Sequence, residues 1–330
     1  MLCYSAFVRA FLVHASLILL AMLLAGPLLP AQDEEIVANL AGGRAIIHVA
    51  NDAIVFAAID RPLESKSVPP RVAAIDSRHI AIFFGASEWQ VTSQPRPIRL
   101  DRDIPHLGAI DPHTVPEGAP EQDLEQIGVA FLEKLRPLVS QLHHPFELKP
   151  DEPLFQIVLI GYAPRDYGPE IWLIEYQVEQ TSVGTRGDFL QTHILRPRFT
   201  QLYPPEKHQP KTIIEIRAPA NLQDVPLLGL IQQNAPAITR LRSSDPRLNK
   251  VAEQIQKGEA QKADPAAAAD FLRAALPILA GDAHFFLGSM TETGRFEWIV
   301  PPDEPREKIK TTEDKDRPPD APTLRQKPKP

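Results

Sequence analysis

The chain has 330 residues, of which 43% are hydrophobic and 23% charged, and a formal net charge of -7. That length suits one large domain with tails or two ordinary domains, and the near-average balance excludes wholesale disorder and a polytopic membrane protein. The acidic balance removes any general attraction for nucleic acid or anionic lipid, and the single cysteine excludes an intramolecular disulfide.

The opening stretch carries one basic side chain, Arg9, ahead of an apolar run from Ala10 to Leu29. Gly26-Pro27 breaks that run, and Pro30-Ala31-Gln32 leads into Asp33-Glu34-Glu35. The pattern reads as a secretory signal peptide over residues 1–31, cleaved near Ala31, and so as an exported chain, periplasmic or secreted. The alternative is an uncleaved N-terminal helix that anchors the protein, since the run approaches spanning length. The leader would then be the chain's one tie to a membrane. Cys3 lies within the leader, so the mature chain has no cysteine, which is compatible with an oxidising compartment.

The segment 36–90 is strand-like. Ala45–Val49 and Ala53–Ile59 are continuous apolar runs joined by the turn pair Asn51-Asp52. Continuous rather than alternating runs predict strands covered on both faces. Arg71–Ile75 and His79–Phe84 predict a second pair that ends at Gly85. Residues 91–122, rich in Pro, Asp and Gly, read as a long loop or insertion. Leu124, Ile127, Phe131, Leu135, Leu138 and Leu142 then form one apolar stripe, which predicts a helix from Leu124 to Leu142 bent at Pro137.

Phe155–Tyr162 and Glu170–Glu175 predict strands around the hairpin chemistry of residues 164–169, and Thr212–Ile216 a further strand. Asp245-Pro246 and Asp264-Pro265 each place an N-cap aspartate before a proline at the first helical position. The helices they open stop at Gly258 and Gly281. A hairpin from His284 to Val300 follows. Residues 301–330 are proline and charge with too little apolar surface to offset backbone ordering, which predicts a disordered tail.

Strand pairs, then helices, then a last helix running into a hairpin resemble the proteasome-type N-terminal nucleophile (Ntn) hydrolases. The stretches that carry the resemblance are Gly43–Arg61, Val72–Ala86, Val158–Tyr162 with Gly168–Ile174, and Phe271–Val300. The resemblance implies an α+β fold over residues 32–300, a four-layer αββα sandwich with two antiparallel sheets covered by helices. Relatives form rings, so a homo-oligomer is one expectation, but the insertion, leader and tail depart from that pattern.

Active members of the family use a Thr, Ser or Cys at the mature N-terminus, with its own α-amine as base. Spaced back from Asp60, which matches the first catalytic aspartate, that place falls near Arg44. Yet there is no Ser, Thr or Cys between Gln32 and Glu64. In the resemblance Arg71 replaces the usual lysine, which removes a tunable amine. Asp282 matches the late aspartate, but Phe285-Phe286-Leu287 stand where a serine and glycines belong. The expectation is therefore an exported, proteasome-like pseudoenzyme, a binding or assembly module with Asp60, Arg71 and Asp282 as vestiges. The alternatives are an active amidohydrolase or peptidase with Ser65 or Ser67 as the nearest hydroxyl, and an unrelated α+β periplasmic binding module.

Other clusters carry less. His143-His144 lacks a third ligand at zinc-like spacing. Arg240, Arg242 and Arg247 around Ser243-Ser244-Asp245 read as anion-binding or as ordinary surface. Arg196, Arg198 and Lys207 with Phe199 and Tyr203 suit a polymer, but the acidic balance opposes nucleic acid. Trp89, Trp172 and Trp298 read as core or groove residues. Without a Gly-rich phosphate loop, Gly-x-Ser-x-Gly or His-Glu-x-x-His, the sequence calls for no cofactor and no metal.

Overall fold

The computed structural model describes residues 36–51, 53–60, 71–74, 79–100, 120–141, 152–162, 168–183, 189–204, 213–218, 225–281, 283–293 and 296–301. Over these the fold is mixed α and β, with antiparallel sheets and five α-helices among the described residues.

The larger sheet has seven strands: β1 (Ile36–Ala41), β4 (Arg71–Ala74), β5 (His79–Val91), β6 (Ile98–Arg99), β7 (Phe155–Tyr162), β8 (Pro169–Tyr176) and β11 (Arg198–Tyr203). Its main path runs β1-β5-β7-β8-β11, with β4 and β6 also on β5. The second sheet runs β12 (Ile214–Arg217), β2 (Arg44–Ala50), β3 (Ala53–Ile59), β13 (Phe285–Thr291) and β14 (Phe296–Val300) in that order. A separate two-stranded sheet pairs β9 (Val178–Val183) with β10 (Phe189–Ile194).

The helices are α1 (Pro120–Ser140), α2 (Leu227–Gln232), α3 (Pro236–Ser244), α4 (Pro246–Gln256) and α5 (Pro265–Ala280), with a 3-10 turn at Ala260–Lys262. Asp245 and Asp264 cap α4 and α5 as their sequences predict, accepting from Arg247 N and Ala267 N.

Strand periodicity sorts the apolar residues into three clusters. In β2 and β3, Ile46, Val55, Ala57 and Ile59 pack with residues of α2 to α5. Their alternates Ala45, Ile47, Ile54 and Phe56 pack instead with Ile80, Ile82, Val158 and Ile160 of β5 and β7. The opposite faces of β5 and β7, with Ala81, Phe83, Phe155 and Ile157, pack against the α1 stripe of Leu124, Ile127, Phe131, Leu135 and Leu138. Phe131 lies 5.6 Å from Phe83 and 5.7 Å from Phe155, ring centre to ring centre. Across the shared cluster, the Tyr162 hydroxyl donates to the Met290 carbonyl at 3.0 Å. The continuous apolar runs are thus strands with both faces buried, as their lack of alternation predicts.

Several elements depart from the sequence reading. β5 does not end at Gly85 but runs on to Val91. Gly85 takes a φ of +78°, which glycine adopts without strain, and the ladder continues past it with a register shift opposite β1. β6 and the start of α1 fall inside the segment read as a long loop, whose residues 101–119 lie outside the described ones. α1 itself begins four residues before Leu124. Strands β9, β10 and β11 and helices α2 and α3 had no place in the sequence reading. The leader and residues 302–330 lie outside the described residues.

Candidate functional site

The β2–β3 hairpin brings Arg44 and Asp60 to one end of the five-stranded sheet. Arg44 pairs with Ile59 across the ladder, so Asp60 follows directly on the partner strand. The Arg44 side chain is buried, at 3% exposure. Its Nη1 donates to Glu215 Oε1 at 3.0 Å and to the Val225 carbonyl at 3.0 Å. The other oxygen of Glu215 accepts from Leu227 N, the first residue of α2, at 2.7 Å. A cation, a carboxylate and a helix start therefore close the place where the family resemblance puts a nucleophile.

The chain also reaches Arg44 without a free amine. β1 lies in the seven-stranded sheet and β2 in the other, so residues 42 and 43 cross between sheets. Gly43 makes the crossing at a φ of 109°, and its carbonyl accepts from Ala218 N at 2.9 Å. Asp60 is half-buried, and its backbone N–H donates to the His284 carbonyl at 2.8 Å, which fixes the end of β3.

The remaining candidates do not all join them. Arg71 lies on β4, opposite Phe83 in the other sheet, and its side chain lies outside the described residues. Ser65, Ser67, His143, His144, Lys207 and Asp282 lie outside them as well. The arginines around Asp245 are engaged by their own neighbours. Arg247 bonds Asp245, and Arg242 bonds Asn249 and Asn234 at 2.8 and 2.9 Å. Phe199 packs in the α1 cluster and Tyr203 in the cluster between the sheets. Trp89 is fully buried, with its indole N–H on the Ala86 carbonyl. Among the described residues no group of three or more His, Cys, Asp or Glu is placed to hold a metal ion, and no helix is long and apolar enough to cross a membrane.

One polar constellation was missed by sequence reasoning. His79 opens β5, and Glu170 lies on β8, with Gly161 of β7 between them in register. Gly161 has no side chain, so the imidazole reaches over it, and His79 Nε2–H donates to Glu170 Oε1 at 2.8 Å. The Trp172 indole N–H donates to Glu170 Oε2 at 2.9 Å. A carboxylate fixed on both oxygens selects the imidazole tautomer, the arrangement proteins use to orient a base. A lone glycine in an apolar strand was the available signal, but only the register reveals what it accommodates.

Among the described residues, His48 is the fully buried imidazole. Its Nε2–H donates to the Ala260 carbonyl at 2.8 Å, while Nδ1 is sealed without a hydrogen-bond partner among the described residues. Burial holds its pKa below the ordinary 6.5, against the smaller opposing effect of the Ala260 bond. It therefore stays neutral and serves to fasten β2 to the 3-10 turn.

Compared with known proteins, the sequence matches no family model and no curated protein.

Proposed function

We propose that the chain is an exported protein whose folded part is a four-layer αββα sandwich of the Ntn-hydrolase kind, acting as a binding or assembly module without self-activated hydrolysis. The sandwich is supported by the apolar cluster to which both large sheets contribute and, among the described residues, no helix does, with separate helix-lined clusters on their other faces. The observation that carries the non-catalytic reading is Arg44. An N-terminal nucleophile needs a hydroxyl or thiol beside a free amine. Here that place holds a buried guanidinium bonded to Glu215 and to the Val225 carbonyl.

The test is to isolate the exported protein from its host, determine its N-terminus by mass spectrometry and expose it to an electrophilic β-lactone that acylates N-terminal hydroxyls and thiols. The expected result is a terminus that is not Ser, Thr or Cys and no covalent adduct. A terminus at Ser65 or Ser67 that carries the acyl group would overturn the proposal in favour of an active amidohydrolase. A terminus still at Met1 would replace export in soluble form with anchoring by the leader.

A further inference from the structure

Far along the chain from Arg44, the segment after β5 and the C-terminal half of α1 flank an open groove of about 520 Å3. Arg96, Pro97 and Ile98 form one wall, with Gln94 beside them, and Lys134, Pro137 and Leu138 form the other. The described residues of the lining include two cations and no carboxylate. Among the described residues, neither Arg96 nor Lys134 makes an ion pair or hydrogen bond. In a chain of net charge -7, cations flanking one concave surface focus positive potential there, because its low-dielectric walls confine the field.

Both walls are firm. Gln94 N donates to the Val91 carbonyl at 2.9 Å, and Gln90 Nε2 donates to the Gln94 carbonyl at 3.3 Å. Ile98 and Arg99 pair with Trp89 and Glu88 of β5, and Leu100 N donates to the Ser87 carbonyl at 3.0 Å. Leu138 packs into the cluster that holds Trp89 and Leu100. Pro97 and Pro137 each fix a backbone φ in the lining. A site with stiff walls loses little entropy on binding.

We infer that this groove binds a small organic anion. The ligand's apolar body lies on Pro97, Ile98, Pro137 and Leu138, and its carboxylate, sulfonate or phosphate meets Arg96 and Lys134. The inference holds whether or not the chain hydrolyses amides, so it fails or stands separately from the proposal above.

The experiment titrates the full chain with 1-anilinonaphthalene-8-sulfonate, an arylsulfonate that fluoresces in apolar surroundings. The expected result is saturable binding at one site per chain. The Arg96→Glu, Lys134→Glu double variant should lower affinity by about tenfold or more, with far-UV circular dichroism and melting temperature unchanged. The neutral analogue N-phenyl-1-naphthylamine should bind wild type at least about tenfold more weakly than the sulfonate. Arg273→Glu, on the exposed face of α5, should leave affinity unchanged. If the double variant does not fold, Arg96→Gln and Lys134→Gln read the same loss singly. No saturable binding, equal affinity for the neutral analogue, or equal loss from Arg273→Glu overturns the inference.

Discussion

Removing the carboxylate of Glu215 tests whether the end of the β2–β3 hairpin is a closed structural joint. Glu215→Ala takes the Glu215 carboxylate away from the buried Arg44 guanidinium, with the Val225 carbonyl retained. At 3.0 Å and an effective dielectric of about 20, the lost attraction is about 5.5 kcal/mol before solvent relaxation. Breaking a buried pair from one side typically costs about 3–5 kcal/mol. The same substitution removes the acceptor of Leu227 N at the start of α2, worth about 1 kcal/mol more. The total, on the order of 4–6 kcal/mol, is a large share of the roughly 5–15 kcal/mol that holds a domain folded. The double variant Arg44→Met, Glu215→Leu removes both charges, and apolar replacement of a buried pair is often neutral. It should recover all but about 1–2 kcal/mol, the remainder being the helix N–H left without an acceptor. Urea unfolding followed by circular dichroism measures all three chains. A cost below about 1 kcal/mol for Glu215→Ala, the value typical of exposed pairs, would refute the closed joint and reopen this end of the sheet to other roles.

The neutral state of His48 makes stability depend on pH. Its folded-state pKa lies below the ordinary 6.5 because of burial, so the unfolded chain takes up a proton first as pH falls. Stability is then fully present above about 6.5 and declines below it, by up to about 1.4 kcal/mol per pH unit until the folded state protonates as well. His48→Leu should flatten that decline, and urea midpoints at pH 7.5 and 5.5 that shift equally in both chains would contradict it. Gly288→Ala places a Cβ 2.7 Å from Phe56 Cζ, an overpacking worth about 1–3 kcal/mol. Its melting temperature should fall, and adding Phe56→Leu should cost less than the sum of the two changes. Gly161→Val inserts a side chain between His79 and Glu170. It should weaken the Glu170 contact of Trp172 and shift that indole N–H resonance, and an unmoved signal would show that the three groups do not act together.

What the sequence made legible follows from local physics. The runs in β2 and β3 are continuous because each strand contributes to two apolar clusters, and that doubling is visible in the residues themselves. Asp245 and Asp264 announce α4 and α5 because a cap and a first-turn proline act within four residues. β9 and β10 stayed hidden because polar residues such as Glu179, Gln180, Gln191 and Thr192 give no apolar pattern. Their strand state comes from mutual pairing and from packing beside α1. β5 ran past Gly85 because the same residue that stops many strands also permits a positive φ within one. The Arg44–Glu215 pair spans 171 positions, and His79 meets Glu170 only through a three-strand register. Neither has a local signature, so the resemblance could place a nucleophile near Arg44 by its spacing from Asp60 but could not show what Arg44 holds.

The polar residues of the central hairpin point to where chemistry is and is not free to occur. β2 and β3 together contain two polar side chains, Arg44 and His48, and both are fully enclosed. Each reaches out of its strand to a carbonyl on another segment, Val225 for Arg44 and Ala260 for His48. Both therefore act as fasteners that tie β2 to the chain around α2 and the 3-10 turn. A buried polar group committed to such a bond is costly to release, and an N-terminal amine at Arg44 would further require cutting the chain after Gly43. That cut would sever β2 from β1, a strand of the seven-stranded sheet with Ile36 and Ala41 buried in it. The groove beside α1 has the opposite character: its cations bond no other described residue, and its walls are already ordered. Ligand recognition there asks nothing of the core, whereas catalysis at Arg44 would dismantle part of it.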